Sequence, residues 1–162
     1  MPGKVDRFFA GNRLGRFEAS IFKGKIQVKV LVDTNVILDI ALNREPFVEH
    51  AVIFFKEAQQ HSIQLVMTAT TITDLYYITS KAKGRETALS FIDDLLCFFD
   101  VASVDKEVIM RALQSDMSDF EDAVQAYSAQ QKNISIIITR NEKDFLGSGL
   151  EVHTPETFLQ KI

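Results

Sequence analysis

The run Val28-Lys29-Val30-Leu31-Val32-Asp33 decides the fold class. It is short, almost wholly apolar and free of breakers, and it stops at a carboxylate. Such a run reads as a strand buried on both faces with its carboxyl end at Asp33. A strand of that kind needs helices on both sides, and the chain downstream provides them by alternation. Asn35 to Leu42 reads as a short helix. Pro46 opens a second helix to about Gln60, because a proline's missing N–H costs nothing in a first turn. Gln64 to Thr68 is a strand, Thr71 to Lys81 a helix, and Glu86 to about Leu96 another. Phe98 to Ala102 is a weak strand, followed by helices over Asp105 to Leu113 and Phe120 to Gln131. Ile134 to Ile138 is the clearest strand of all. Leu150 to His153 is a last short strand, and Thr154 with Pro155 opens a final helix as N-cap and first-turn residue. Alternation of this kind predicts a three-layer α/β/α sandwich around a central, mostly parallel sheet.

Composition agrees with one globular core. Of 162 residues, 46% are hydrophobic and 25% charged, which leaves ample apolar material to offset ordering entropy. No apolar run approaches the length of a membrane span, and the N-terminus has no continuous apolar segment of the secretory type. Cys97 is the only cysteine, so a disulfide framework within the chain is excluded. It suits a reducing, cytoplasmic setting and reads as a small core residue.

Charge is distributed unevenly. The chain holds 18 basic and 22 acidic residues, a net charge of −4. Residues 1–27 take six of the basic side chains (Lys4, Arg7, Arg13, Arg16, Lys23, Lys25) and two acids (Asp6, Glu18). Residues 28–162 are left with 12 basic and 20 acidic, a net of −8. A domain this acidic does not attract polyanions by charge alone. The same boundary divides a basic N-terminal extension, over 1–27, from the domain proper, over 28–162. The extension reads as a flexible arm, a hairpin, or translation from a start upstream of the natural one.

In parallel α/β sheets, sites form beyond the carboxyl ends of the strands. Asp33 ends the first strand and either caps the next helix or serves as a functional carboxylate. Asp74 lies a turn into the helix after the second strand, where Thr71 could use it in a capping box. Ser118-Asp119-Phe120-Glu121-Asp122-Ala123 opens the helix before the strongest strand. Ser118 and Glu121 fit a capping box, which leaves Asp119 and Asp122 three apart, and acids this close repel unless a cation or water separates them. Thr139-Arg140-Asn141-Glu142-Lys143-Asp144-Phe145 follows that strand and places Thr139, Arg140, Asn141 and Asp144 at its end. Folded as a doubly wound sheet, the four junctions converge. Oxygen ligands gathered in one crevice favour Mg²⁺ or Mn²⁺ over zinc. The chain contains neither a phosphate-binding glycine loop nor a Ser nucleophile elbow. His50, His61 and His153 are too scattered for a metal pair and read as surface or filling residues.

The segments Val30-Leu31-Val32-Asp33-Thr34-Asn35-Val36, Asp119-Phe120-Glu121-Asp122-Ala123 and Ile138-Thr139-Arg140-Asn141-Glu142-Lys143-Asp144-Phe145 closely resemble the PIN-domain family, and within it the VapC-like toxin ribonucleases. The likeness runs in order over about residues 28–157. It implies a PIN-like fold and a metal-dependent endoribonuclease. Asp33 matches the family's first acid and Asp122 its third. Asp74 stands at the second, usually Glu, and Asn141 where many members carry a fourth Asp. The resemblance implies one or two Mg²⁺ ions, with Mn²⁺ as substitute, held by Asp33 and Asp122 with Asp74 as a further candidate. Asp119, also a candidate metal ligand, or Asp144 could compensate for the changes at Asp74 and Asn141. It implies a water of lowered pKa attacking the phosphodiester, leaving 5′-phosphate and 3′-hydroxyl ends. Thr139, Arg140 and Asn35 are candidate contacts to the RNA or the attacking water, with Lys143 and the basic arm as further phosphate contacts. Expected partners are a second copy of the chain and a small cognate antitoxin, with no membrane. Phe47, Phe54, Phe55, Tyr76 and Tyr77 could form interfaces, although most of them suit a core. The rival reading is a PIN fold that binds RNA or protein without cleaving. A phosphatase- or receiver-like domain with an aspartyl nucleophile ranks low, because Asn35 stands where a second Asp is wanted.

Overall fold

The computed structural model describes residues 28–162, so the expected N-terminal extension lies outside the described residues. Five strands, β1 (Lys29–Val32), β2 (Gln64–Thr68), β3 (Phe99–Ala102), β4 (Ile136–Ile138) and β5 (Glu151–His153), form one sheet in the order β3-β2-β1-β4-β5. Every neighbouring pair is parallel. The helices are α1 (Thr34–Ala41), α2 (Phe47–Gln60), α3 (Ala69–Lys83), α4 (Arg85–Leu96), α5 (Lys106–Leu113), α6 (Phe120–Gln131) and α7 (Pro155–Leu159), with a 3₁₀ turn over Glu142–Phe145.

Strand alternation divides the core into two layers, as a period of two requires. Val30, Val32, Leu65, Met67 and Ile138 face one way, onto α1, α2, α3, α4 and α7. Leu31, Val66 and Ile137 face the other way, onto Ala126 and Ala129 of α6 and Phe145 of the 3₁₀ turn. Aromatic rings pin the first layer: Phe54 meets Phe158 edge-on at 5.8 Å and Phe55 meets Phe99 at 5.4 Å. On the second side, Val108 and Ala112 of α5 cover Ala123 and Val124 of α6.

Three local expectations are corrected. The strand expected from Ile134 begins at Ile136. Asn133 adopts φ 56° and the Ile134 N–H still bonds to Ala129 O, so those residues finish the exit from α6. The helix expected from Thr71 begins at Ala69, because Thr68 at the strand end is its cap and accepts from the Thr71 N–H. Cys97 is exposed, not buried. It sits at the C-cap of α4, off the face that buries Ala88, Phe91 and Leu95.

In this strand order the chain turns outward in opposite directions from β1, so the topological switch lies between β1 and β4. The Asp33 N–H donates to Ile138 O at 2.9 Å and the Thr139 N–H to His153 O at 2.8 Å, which aligns the carboxyl ends there. A crevice at such a switch is where parallel α/β folds hold ligands.

Candidate functional site

Asp33 occupies the cap position of α1, yet its side chain makes no capping bond and is almost fully buried. The Gln125 amide donates to its Oδ1 at 3.1 Å and the Thr139 hydroxyl to its Oδ2 at 2.9 Å. Burial pushes its pKa up, while these two donors and the nearby Asn35 amides pull it down. The Thr34 hydroxyl bonds to that of Thr71 at 2.9 Å and ties the start of α1 to the start of α3.

α6 brings the second group of acids. Its cap is Asp119 rather than Ser118: Asp119 Oδ1 accepts from the N–H groups of Glu121 (2.8 Å) and Asp122 (3.1 Å). An Asp in this place satisfies orphan donors and suits the positive end of the helix. Asp119 is therefore half committed to the backbone, and Glu121 is released from the role expected for it. Glu121 instead shares a hydrogen bond with Asp74 of α3. Burial raises both carboxyls, and the charges of Asp74, Asp119 and Asp33 raise Glu121 further. Asp122 is pushed up to about 7, first by burial and then by Asp33, Asp119, Asp144 and Glu121. Among the described residues, no lysine or arginine is a leading influence on Asp33, Asp74, Glu121 or Asp122.

The structure thus brings together Asp33, Asp74, Asp119 and Asp122, with Asp144 within electrostatic reach. Thr139 sits inside the group as a donor to Asp33, and its hydroxyl also accepts from the Asn141 N–H at 3.1 Å. Asn141 is exposed at the mouth and begins the 3₁₀ turn without a side-chain cap. Asn35 is half-buried beside Asp33.

Arg140, expected at the substrate, is engaged by Asp39 in this structure. Its Nη1 meets buried Asp39 at 3.0 Å and its guanidinium lies over the Phe47 ring at 4.5 Å. Arg44 backs the same carboxylate at 3.9 Å, yet burial outweighs both cations and holds Asp39 at about 6. A bidentate, stackable group is well suited to such a half-dry ion pair. Of the aromatic set, Phe54 and Phe55 are core, while Phe47 and Tyr77 are exposed.

Two residues were missed by sequence reasoning. Glu121 was hidden by its plausible capping role; the signal was a third acid in four positions. Gln125 was hidden inside an apolar helix face; the signal was a lone amide three residues after Asp122, between Val124 and Ala126.

The donor set fits a hard divalent cation. It is all oxygen, and its charges repel one another with no lysine or arginine among the leading influences in the described residues. Among the described residues, no three Asp, Glu, His or Cys side chains stand close enough to close a metal cage. An open arrangement suits Mg²⁺, which is held by one or two carboxylates and keeps several waters.

Fold and crevice together define a class: a three-layer parallel α/β protein with an acidic pocket at its topological switch. The PIN domain profile matches residues 29–143, most of the chain. The chain belongs to the PIN-domain family. It is 28% identical over 138 residues to Ribonuclease VapC1 of Aquifex aeolicus (strain VF5), spanning 82% of this chain and 94% of that protein. Among solved structures it resembles VapBC-1 from nontypeable Haemophilus influenzae with a TM-score of 0.61 and 18% identity, over 80% of this chain and 99% of that one. A toxin–antitoxin complex from Klebsiella pneumoniae superposes with a TM-score of 0.57 and 24% identity, over 78% and 97%. These likenesses show the shared fold. No described helix is long and apolar enough to cross a membrane.

Proposed function

We propose that this chain is a Mg²⁺-dependent endoribonuclease, the toxin of a toxin–antitoxin pair. In this reading it works in the cytoplasm as a homodimer and is silenced by a small antitoxin protein. The proposal assigns residues 28–162 to the nuclease domain and residues 1–27 to an extension the chemistry does not need. The observation that carries the chemistry is the pairing of Asp33 with Asp122. They stand far apart in sequence, come from the end of β1 and the start of α6, and meet in a half-buried cluster where, among the described residues, no lysine or arginine is a leading influence on either.

Asp33 and Asp122 are the proposed ligands of Mg²⁺ or Mn²⁺, with the uncommitted side of Asp119 nearby. A divalent ion there acidifies water and offsets charge on the phosphoryl oxygens. Asp74, hydrogen-bonded to Glu121, carries charge or a proton according to pH. Thr139 and Asn35 hold the Asp33 side of the pocket. Asn141, neutral and exposed at the mouth, offers an amide to the RNA. A cation in the pocket also turns an acidic crevice into one that accepts a phosphodiester, which the net charge of the domain would otherwise repel.

The test is cleavage of mixed RNA in Mg²⁺, in Mn²⁺ and in chelator, comparing wild type with Asp33→Asn and Asp122→Asn. We expect cleavage only with metal, only in wild type, and with 5′-phosphate ends. Cleavage that survives chelator, or both substitutions, removes the proposal. The neutral Asn141 favours the second reading, a binding module; wild type that binds RNA yet never cuts it under any of these conditions would establish that one.

A further inference from the structure

Gln125 lies on the buried face of α6, 1% exposed, among Ala123, Val124, Ala126 and Ala129. Its amide is used at one end only. Nε2 donates to Asp33 Oδ1, while Oε1 is buried with no hydrogen-bond partner. A buried carbonyl without a partner is a cost, and leucine or methionine would fill similar space without it. The local packing therefore gives no reason for an amide; the N–H on Asp33 does.

We propose that Gln125 is a positioning residue, which with Thr139 locks the Asp33 carboxylate in the orientation needed to receive a divalent cation. Gln125 places a neutral donor on Asp33 Oδ1 at 3.1 Å and Thr139 one on Oδ2 at 2.9 Å, beside the Asn35 amides that also bond this carboxylate. Two donors on two oxygens fix both side-chain torsions. Neither donor carries charge. An arginine or lysine in the same place would also orient the carboxylate but would cancel the charge that attracts the ion. Asp39, one helix turn and a half further along, shows the contrast: it is held by two arginines and is thereby unfit for a cation. Outer partners of this kind typically carry about 10- to 100-fold in metal affinity or activity.

The inference rests on the reading of Asp33 as a metal ligand, and its test separates the two. Gln125→Met and Gln125→Leu are compared with wild type and Asp33→Asn. Three quantities are read: melting temperature in chelator, Mn²⁺ affinity by calorimetry, and kcat and KM on RNA. For both Gln125 variants we expect melting within a few degrees of wild type, because loss of the orphaned carbonyl offsets loss of the N–H on buried Asp33. Mn²⁺ affinity falls about 10-fold or more, and kcat falls while KM for RNA stays near wild type. A purely structural glutamine predicts Mn²⁺ affinity and kcat unchanged in the folded protein, whatever the melting temperature. Wild-type Mn²⁺ affinity and kcat in whichever variant folds overturns the positioning role. If Asp33→Asn itself binds Mn²⁺ and cleaves as wild type does, the underlying reading of Asp33 fails instead.

Discussion

Asp122→Asn should make the metal-free protein more stable above neutral pH while removing its cleavage activity. In the folded state the Asp122 pKa rises from 3.8 to about 7. The folded chain therefore holds a proton that the unfolded chain has lost across that interval, so stability falls as pH rises from about 4 to 7 and stays low above. A rise of about three pH units, at about 1.4 kcal/mol each, sets an upper bound of about 4 kcal/mol. Asp122 is only half-buried, and solvent screening reduces the recoverable part to about 1–2 kcal/mol. Asparagine keeps the shape and removes the charge facing Asp33, Asp119, Asp144 and Glu121. For a chain of this size that gain corresponds to a rise of about 2–8 °C in melting temperature. The assay is thermal unfolding in chelator from pH 5 to pH 8. Wild type should lose stability across the range, and Asp122→Asn should follow a flatter curve that crosses above it. A variant that melts below wild type at pH 8 would refute the claim that these acids destabilise one another in the metal-free protein.

Divalent cations should supply the missing charge. Mn²⁺ at about 100 times its Kd stabilises wild type by about 2.7 kcal/mol, and Asp33→Asn should show almost none of this in the same melts. Thr139→Val removes the donor from Asp33 Oδ2 and the acceptor of the Asn141 N–H. Steady-state cleavage should show kcat lower by about 10- to 100-fold, and an unchanged kcat would remove Thr139 from the site. Arg140→Ala leaves buried Asp39 with only Arg44, at 3.9 Å. Urea unfolding should show a loss of about 2–4 kcal/mol at pH 8 and less at pH 5, where Asp39 is mostly protonated. Its KM for RNA should barely move; a large rise in KM with unchanged stability would return Arg140 to the substrate.

The layered α/β/α architecture was legible from Val28 to Asp33 onward. Burial on both faces demands an apolar run, and the helices that bury it carry their own period, so both patterns are written in nearby residues. The position of the acids at strand ends was legible for the same reason. Their partners were not. Ser118 and Asp119 are equally good caps on paper, and only the path of the chain into α6 gave the role to Asp119 and freed Glu121 for Asp74. Arg140 stands beside Thr139 in sequence, yet its long side chain meets Asp39, 101 residues away, and stacks on Phe47, distant partners that no local pattern marks. Gln125 is 92 residues from Asp33. Patterns along a chain record which face a residue lies on, since that depends on local periodicity. Which charge a side chain meets depends on how distant elements stack, and that is settled only when the sheet closes between β1 and β4.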